Sequence, residues 1–313
     1  MKICMLGSGA LGSTLGGVLT EGGNDVRLID AWAGHIDAMT SQGLTLRDGG
    51  VERTVKVKAS TSPEGIGPAD LVVVLVKSYH TREAIEKAAP IIGPDTVVMS
   101  LQNGLGHEEI LADVVGKQHV LAGKTYAGGV LLGPGHVIAG TKDKYTYIGE
   151  LDGQISGRAA KIAETFTRAG LPTEVSANIM STMWDKLLIN VATGALAGIT
   201  RLPYGGLYSV PEVEQCALAA VAEAIAVAKA LGVKLTSEKP EDAWHLAAEG
   251  LPNEFKTSML QSIEKGMPTE VDFINGSVVR WGGRVKVPTP VNQTLVACVK
   301  GIELWLAQYA PKR

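Results

Sequence analysis

A glycine-rich hexapeptide near the amino terminus is the first feature that points to chemistry. Gly7-Ser8-Gly9-Ala10-Leu11-Gly12 directly follows the apolar segment 3–6 and opens a helical stretch. At such a turn the first glycine permits a sharp bend, the second lets the backbone approach a pyrophosphate, and the third allows the helix to pack closely on the strand. The amino terminus of the helix then faces the phosphates. The hexapeptide predicts a dinucleotide-binding turn, and its structural alternative is an ordinary strand-to-helix connection.

Asp30 is the second residue with a predicted binding role. It ends the apolar segment 26–29, at about the distance from the glycine turn at which an acidic residue binds the adenosine ribose. A carboxylate there would repel a 2′-phosphate, and neither Ala31 nor Trp32 supplies a cation for one. We therefore expect NADH to be favoured over NADPH. The alternative for Asp30 is a solvated strand end.

Composition and charge exclude several classes of partner. The chain of 313 residues has a formal net charge of −3, and it lacks the lysine and arginine clusters that follow a phosphate backbone. Its six histidines are scattered, without the paired spacing of a metal site. Cys4, Cys216 and Cys298 lie far apart in apolar segments, as reduced core thiols do. We therefore expect no metal and no nucleic-acid partner.

Apolar segments in this chain are too short to cross a bilayer. Segment 71–76 is among the longest, whereas a spanning helix needs roughly 20 residues. The amino terminus has neither the long hydrophobic region nor the small-residue cleavage site of a signal peptide. The sequence predicts a cytoplasmic protein without a membrane partner.

Short β-branched segments alternate with helical stretches in the first half of the chain. This alternation predicts an α/β fold with a Rossmann-type doubly wound parallel sheet. Segment 71–76 is almost continuously apolar, as a strand buried on both faces must be. A strand-and-turn segment is expected over 127–148. The predicted parallel strands are Lys2–Leu6, Asp25–Asp30, Leu71–Val76, Thr96–Leu101 and His119–Gly123.

Helical periodicity dominates the second half of the chain. Because the length exceeds what one hydrophobic core usually supports, we expect two domains. They are a dinucleotide-binding Rossmann domain at 1–176 and an all-helical substrate or dimerisation domain at 177–313. The predicted helices of the second domain are Asn178–Leu196, Pro211–Leu231, Glu238–Glu249, Glu254–Glu264, Glu270–Gly282 and Pro290–Ala310.

The sequence resembles the ketopantoate reductase (2-dehydropantoate 2-reductase) family over nearly its full length. The resemblance implies a Rossmann domain, a helical second domain and NAD(P)H-dependent reduction of a 2-oxo acid in coenzyme A precursor synthesis. Helical second domains of such enzymes often form homodimers. The matching segments are GSGALGS at 7–13, LVVVLVKSYHT at 71–81, SLQNGLGHEE at 100–109, MWDKLLINVATGALAGIT at 183–200 and KTSMLQSIEKGMPTEVDFINGSVVRWG at 256–282.

The resemblance assigns Lys77 and Asn103 to the cofactor and substrate site. They follow the third and fourth predicted strands and would reach the nicotinamide ribose and the substrate. The carboxyl ends of strands are where ligands bind in open parallel sheets. The structural alternatives are a surface lysine and an asparagine that bonds its own turn.

Lys186 matches the catalytic lysine of the family. Hydride arrival at a carbonyl carbon leaves negative charge on the oxygen, so the reaction needs a positioned proton donor. A lysine whose pKa is lowered by partial burial can be that donor. Asn190 lies one helical turn further along, on the same face. The alternatives are a helix-surface lysine and a core asparagine bonded to a neighbouring loop.

Gly194 departs from the family, in which many members carry an asparagine at this position. Thr193 lies two turns after Lys186 and only about 20° from its face, so its hydroxyl could bind the substrate instead. This departure leaves the identity of the substrate open.

Two residues near the carboxyl terminus complete the site that the resemblance implies. Ser258 matches the serine that binds the substrate carboxylate, and Glu270 matches the glutamate that contacts the reacting hydroxyl. An acid at this point is also explained by a capping box over 269–272. Ser262 and Met267 stand where the family usually has an aspartate and a basic residue, which again leaves the substrate open.

These residues together predict reduction of a small branched 2-oxo acid, with Lys186 as general acid and Glu270 fixing the nascent hydroxyl. By the resemblance the substrate is 2-dehydropantoate. Two alternatives stay open. One is a related reductase for another 2- or 3-hydroxy acid, imine or opine. The other is a nicotinamide-sensing protein without turnover, against which the pairing of Lys186 with Asn190 argues.

Overall fold

Contacts within the chain divide it into two compact units. The structure is a computed structural model that describes residues 1–310. Unit 1 consists of Met1–Gln102 and His107–Ile179, and unit 2 consists of Asn103–Gly106 and the chain from Met180 onward. The short segment 103–106 therefore groups with the carboxyl-terminal unit, which the sequence did not indicate. The predicted domain border at residue 176 stays a prediction.

The strands of unit 1 form two sheets. The predicted strands are all present, although several end one or two residues earlier or later than expected. Their bounds are β1 Lys2–Leu6, β2 Asp25–Ile29, β3 Leu44–Asp48, β4 Val51–Val55, β5 Lys58–Ser60, β6 Leu71–Val74, β7 Val97–Ser100, β8 Val120–Thr125, β9 Gly128–Gly133, β10 His136–Gly140, β11 Thr146–Gly149 and β12 Thr173–Val175.

The larger sheet has the strand order β12-β11-β8-β7-β6-β1-β2-β5. Neighbouring strands run parallel except for the pair β8 and β11. The chain winds outward from β1 in one direction through β2 and in the other through β6. Ligands of open α/β sheets bind at such a reversal, beside the carboxyl ends of the strands. The predicted doubly wound sheet is confirmed.

Both faces of this sheet are buried, which explains the apolar strand segments. On β1, Ile3 and Met5 belong to one core cluster, whereas Cys4 and Leu6 belong to a second cluster. Because successive side chains of a strand point to opposite faces, the two clusters lie on opposite sides of the sheet. A strand of this kind must be apolar at every position.

The smaller sheet was missed by the sequence analysis. Its order is β4-β3-β10-β9, and it joins a hairpin of the first half to the predicted strand-and-turn segment. Gly49 and Gly50, both with positive φ (56° and 85°), form the hairpin turn between β3 and β4. A two-residue Gly-Gly loop between alternating segments is a recognised hairpin signal.

Helices cover the large sheet and make up unit 2. The helices of unit 1 are α1 Ala10–Glu21, α2 Ala33–Gln42, α3 Thr81–Lys87, α4 His107–Val115 and α5 Gly157–Arg168. Those of unit 2 are α6 Ile179–Thr200, of which Ile179 belongs to unit 1, α7 Tyr204–Leu207, α8 Pro211–Ala230, α9 Pro240–Ala248, α10 Ser258–Glu264, α11 Asn275–Val285 and α12 Pro290–Gln308. Short 3₁₀ turns lie at Ser78–His80, Ala89–Ile91, Lys117–His119 and Val271–Phe273.

Two predicted helices of unit 2 need correction. The helix predicted over 254–264 begins only at Ser258, because the Thr257 hydroxyl accepts a hydrogen bond from Leu260 N and caps it there. The helix predicted over 270–282 is broken. A 3₁₀ turn ends at Phe273, the next residue Ile274 has backbone angles (φ −103°, ψ −97°) that are not helical, and α11 starts after it. No helix among residues 1–310 is long and apolar enough to span a membrane.

Candidate active site

The glycine turn after β1 is fixed by close backbone packing. Gly7 has φ +99°, and a Cβ on it would lie 2.4 Å from Val76 N, in the segment after β6. A Cβ on Gly12 would lie 2.0 Å from Gly7 O. In contrast, a Cβ on Gly9 would meet no heavy atom within 4 Å. The turn is therefore tight where strand and helix meet and open at the amino terminus of α1, as a phosphate-binding turn requires.

Asp30 contacts this turn directly. Its carboxylate accepts hydrogen bonds from Ser8 N (2.8 Å, Oδ2) and from Trp32 N (3.0 Å, Oδ1). A carboxylate has about four acceptor positions, so each oxygen keeps capacity for a ribose hydroxyl. The open space at Gly9 together with this placement of Asp30 fits the phosphates and ribose of a dinucleotide.

His35 is hydrogen-bonded to the same glycine turn. The sequence did not indicate this residue. Its side chain is fully buried. Gly135 N donates to Nδ1 (2.9 Å), which places the ring proton on Nε2, and Nε2 lies 2.8 Å from Ser8 O. Ser13 Oγ donates to the same carbonyl at 2.6 Å. A histidine in an unremarkable helical segment gives no sequence signal for this role.

Gln102 connects two of the segments that follow the strands. Its Nε2 donates to Val76 O (2.6 Å) and to Thr81 Oγ1 (2.9 Å), and its Oε1 accepts from Ser100 Oγ (2.8 Å). Val76 directly precedes the exposed Lys77, and Gln102 directly precedes Asn103. The buried amide therefore fixes the backbone beside both predicted cofactor residues.

Asn103 begins the short segment that belongs to unit 2. Leu105 N donates to Phe273 O (2.9 Å), and a Cβ on Gly104 would lie only 2.2 Å from that oxygen. The guanidinium of Arg280 donates to Asp272 O (3.2 Å) and to Leu105 O (3.1 Å). Arg280 thus joins the segment that carries Asn103 to the turn that follows Glu270.

Lys186 and Asn190 lie one turn apart on α6, and both are partly buried. The Asn190 Nδ2 atom is buried and has no hydrogen-bond partner among the described residues. An unsatisfied buried donor costs about 1–3 kcal/mol, so such an atom is rare and requires an explanation. An acceptor oxygen of a bound substrate would satisfy it.

Thr193 points to a different partner. It is buried, and its hydroxyl lies 3.3 Å from the Tyr204 hydroxyl and 3.4 Å from Ile189 O. The hydroxyl that we expected to replace the missing asparagine thus has two partners within unit 2, and its substrate-binding role stays a prediction. A Cβ on Gly194 would meet only the Met259 Cε atom, at 3.6 Å. A methyl group would thus fit at Gly194 in ordinary van der Waals contact with Met259.

Glu270 is held through its neighbour Thr269. Thr269 donates from its backbone N (2.7 Å) and its hydroxyl (2.6 Å) to Glu303 Oε1, on α12. The same hydroxyl accepts from Val271 N (3.2 Å). The expected capping box over 269–272 does not form, because the Thr269 hydroxyl accepts from Val271 N, Thr269 N donates to Glu303, and the Asp272 carboxylate accepts from Lys300. Glu270 itself is partly buried.

The remaining residues of unit 2 that the resemblance singled out differ in their exposure. Ser258 is exposed at the first position of α10. Ser262 is buried, and Met267 is exposed.

The described residues contain no group of three His, Cys, Asp or Glu side chains that could hold a metal ion. Among the cysteines only Cys4 is buried, so the expectation of core thiols is wrong for the exposed Cys298.

Comparison with known proteins assigns both parts of the chain to one family. The model of ketopantoate reductase PanE/ApbA matches residues 3–153, and the model of its carboxyl-terminal domain matches residues 178–303. A 2-dehydropantoate 2-reductase of Pyrococcus horikoshii is 36% identical over 97% of this chain and 98% of its own length.

Solved structures agree in fold. A PanE/ApbA family ketopantoate reductase of Ralstonia eutropha has a TM-score of 0.90 at 35% identity and covers 98% of this chain and 100% of its own. A D-mandelate dehydrogenase, solved with NADH and anilino(oxo)acetate, has a TM-score of 0.90 at 28% identity with the same coverage. The chain belongs to the ketopantoate reductase PanE/ApbA family.

Proposed function

We propose that this chain reduces 2-dehydropantoate to pantoate with a reduced nicotinamide cofactor. The observation that carries the proposal is the buried, unsatisfied Asn190 Nδ2, one helical turn from Lys186. A 2-oxo acid offers carbonyl and carboxylate oxygens that such a donor binds. Relatives named 2-dehydropantoate 2-reductase indicate which 2-oxo acid we propose as the substrate.

The residues of this chain then have distinct tasks. When bound, the cofactor supplies the hydride. The glycine turn and Asp30 hold its phosphates and adenosine ribose, and Lys77 and Asn103 hold its nicotinamide end. Lys186 supplies the proton that the substrate oxygen needs once negative charge develops there, Asn190 and Ser258 bind the substrate oxygens, and Glu270 fixes the nascent hydroxyl.

The test of this function is oxidation of NADH and of NADPH, followed by absorbance, with 2-dehydropantoate and a panel of related 2-oxo acids. Turnover of 2-dehydropantoate would support the proposal. If 2-dehydropantoate is not turned over but another 2-oxo acid of the panel is, that acid is the substrate instead. Both cofactors are compared at equal concentration so that the expected advantage of NADH is measured directly.

The role of Lys186 predicts a specific kinetic defect. Lys186→Ala should lower kcat by about 10²-fold while leaving cofactor affinity nearly unchanged. Lys229→Ala is a matched control, because this lysine of unit 2 is half-exposed and pairs with Glu238 on the surface. A Lys186→Ala enzyme with the turnover of the control would remove Lys186 from the mechanism.

The NADH preference depends on the charge of Asp30. Asp30→Asn keeps an acceptor for Ser8 N but removes the repulsion of a 2′-phosphate. The ratio of the Kd for NADPH to that for NADH should fall about tenfold, as expected for one charge interaction at the edge of a protein. An unchanged ratio would assign cofactor selection to other residues.

A second candidate function is reduction of a 2-oxo acid with a bulkier apolar substituent. The lack of a side chain at Gly194, where many family members carry an asparagine, favours it, as does the fold shared with a D-mandelate dehydrogenase. Faster turnover of aryl 2-oxo acids than of 2-dehydropantoate in the panel would select this candidate. The homodimer and the cytoplasmic location stay predictions, the first of which sedimentation analysis tests.

A further inference from the structure

Trp32 is an exposed aromatic residue beside the predicted cofactor site. It precedes α2 directly and lies two residues after Asp30, to whose Oδ1 its backbone N donates a hydrogen bond of 3.0 Å. Its side chain is 46% exposed. A single exposed apolar residue needs no explanation by itself, so the case depends on how this ring is held.

The indole ring of Trp32 is supported on one face by His35. The two ring centroids are 5.3 Å apart, and the planes differ by 11°. His35 is itself fixed at both nitrogens, by Gly135 N and by Ser8 O. The indole is therefore held by a buried ring that is bonded to the glycine turn, and 46% of the residue stays exposed. A rigid aromatic platform of this kind binds a planar ligand with little loss of conformational entropy.

The position of the platform relative to the cofactor residues identifies the planar group. In dinucleotide-binding folds the pyrophosphate lies on the glycine turn and the adenosine ribose on the acidic residue that ends the second strand. The next group along the cofactor is the purine base. Trp32 lies two residues after Asp30, and its backbone N is bonded to that carboxylate. We therefore expect a purine beyond the ribose to meet the exposed indole.

We propose that Trp32 binds the adenine ring of the nicotinamide cofactor by stacking. Every base has a π face, and stacking on an aromatic side chain contributes about 1–3 kcal/mol per base. The residue therefore adds affinity at the adenosine end and leaves hydride chemistry at the other end untouched. This inference rests on the proposed function only in taking a nicotinamide dinucleotide as the cofactor.

The test measures binding, with no need for turnover. Calorimetric titration of NADH into the full-length protein is compared for the wild type, Trp32→Ala, Trp32→Phe and Trp305→Ala. Trp305, which is 50% exposed on α12, is a matched control in unit 2. Reduced nicotinamide cytosine dinucleotide serves as a second probe, because it keeps both phosphates and riboses but replaces the purine by a smaller base.

Stacking predicts that Trp32→Ala raises the Kd for NADH about tenfold, and raises the Kd for the cytosine analogue clearly less. Trp32→Phe should restore most of the affinity, and Trp305→Ala should bind like the wild type. NADH should also quench tryptophan emission less in Trp32→Phe than in the wild type.

Two results would overturn the inference. An unchanged Kd in Trp32→Ala would show that the indole does not contact the cofactor. An equal loss for both dinucleotides would show that the substitution disturbs the glycine turn through His35. If the proposed function is wrong, no 2-oxo acid will be turned over, whatever the binding test shows. The two failures can therefore be told apart.

Discussion

Gly104→Ala is the substitution for which the structure gives the sharpest expectation. A Cβ at this position would lie 2.2 Å from Phe273 O and 2.7 Å from Phe273 C. Both obstacles are backbone atoms, which cannot rotate away as a side chain does. Because φ at Gly104 is +93°, alanine would also be strained there at a cost of about 1–3 kcal/mol.

The size of the displacement follows from the contact distance. The shortest comfortable approach of carbon to a carbonyl oxygen is about 3.3 Å, so the segment with Gly104 must move by about 1 Å from the turn at Phe273. Asn103 is the adjacent residue and moves with it. A misplacement of about 1 Å in a residue that positions reactants costs about 10²-fold in rate. We therefore expect kcat/KM for the 2-oxo acid to fall by about that factor.

The assay pairs this variant with Gly232→Ala. Gly232 also belongs to unit 2 and has a positive φ (+74°), but a Cβ there would meet no heavy atom within 4 Å. It thus carries the conformational penalty without the collision. On the proposed cofactor assignment ADP-ribose would occupy the glycine turn and Asp30, so it should bind both variants like the wild type. Equal kcat/KM for the two variants would refute the reasoning, because strain at φ alone would then account for the effect.

Two further predictions concern buried groups of unit 1. Gln102→Leu leaves Val76 O without its donor, so the free energy of unfolding in urea should fall by about 1–3 kcal/mol. The same substitution at the exposed Gln261 should be nearly neutral, and equal losses in the two variants would contradict the role assigned to Gln102. Burial raises the pKa of the Cys4 thiol to about 11, so the reactive thiolate forms only as the pH rises toward that value. At neutral pH iodoacetamide should modify the exposed Cys298 before Cys4, and equal labelling in folded protein would contradict this order.

Much of the fold followed from local patterns. The near-continuous apolar segment at β6 predicted a strand buried on both faces, because few other arrangements tolerate it. The glycine turn predicted the strand and helix that flank it, since each glycine has a separate steric requirement. The parallel doubly wound sheet and the helical second half were therefore accessible from the sequence, and both are confirmed.

Other features depend on contacts between distant residues. The small sheet pairs β3 with β10, about ninety positions apart in the chain, and only the Gly49-Gly50 hairpin gave a local signal for it. The break at Ile274 interrupts a segment whose periodicity is helical, because tertiary contacts of the 3₁₀ turn override local preference. The grouping of segment 103–106 with unit 2 likewise depends on Phe273 and Arg280.

The residues of the candidate site likewise differ in whether the sequence or only the structure indicates them. The position of Asp30, at the end of the strand that follows the glycine turn, indicated its role from local pattern. Lys186 and Asn190 were assigned by the family resemblance, because a lysine and an asparagine one turn apart on a helix are not distinctive by themselves. The positioning residues Gln102 and Arg280 bond backbone carbonyls of remote segments. An amide or a guanidinium gives no sequence signal for a carbonyl partner of that kind, so these residues required the structure.

Transfer of a labelled hydride tests the central claim most directly. The protein is incubated with 2-dehydropantoate and NADH that carries deuterium at the transferable C4 position of the nicotinamide, and the product is analysed by mass spectrometry. We predict pantoate with one deuterium at C2, formed rapidly by the wild type and far more slowly by Lys186→Ala. Cofactor oxidation without deuterated pantoate, or equal rates in the two proteins, would contradict the account.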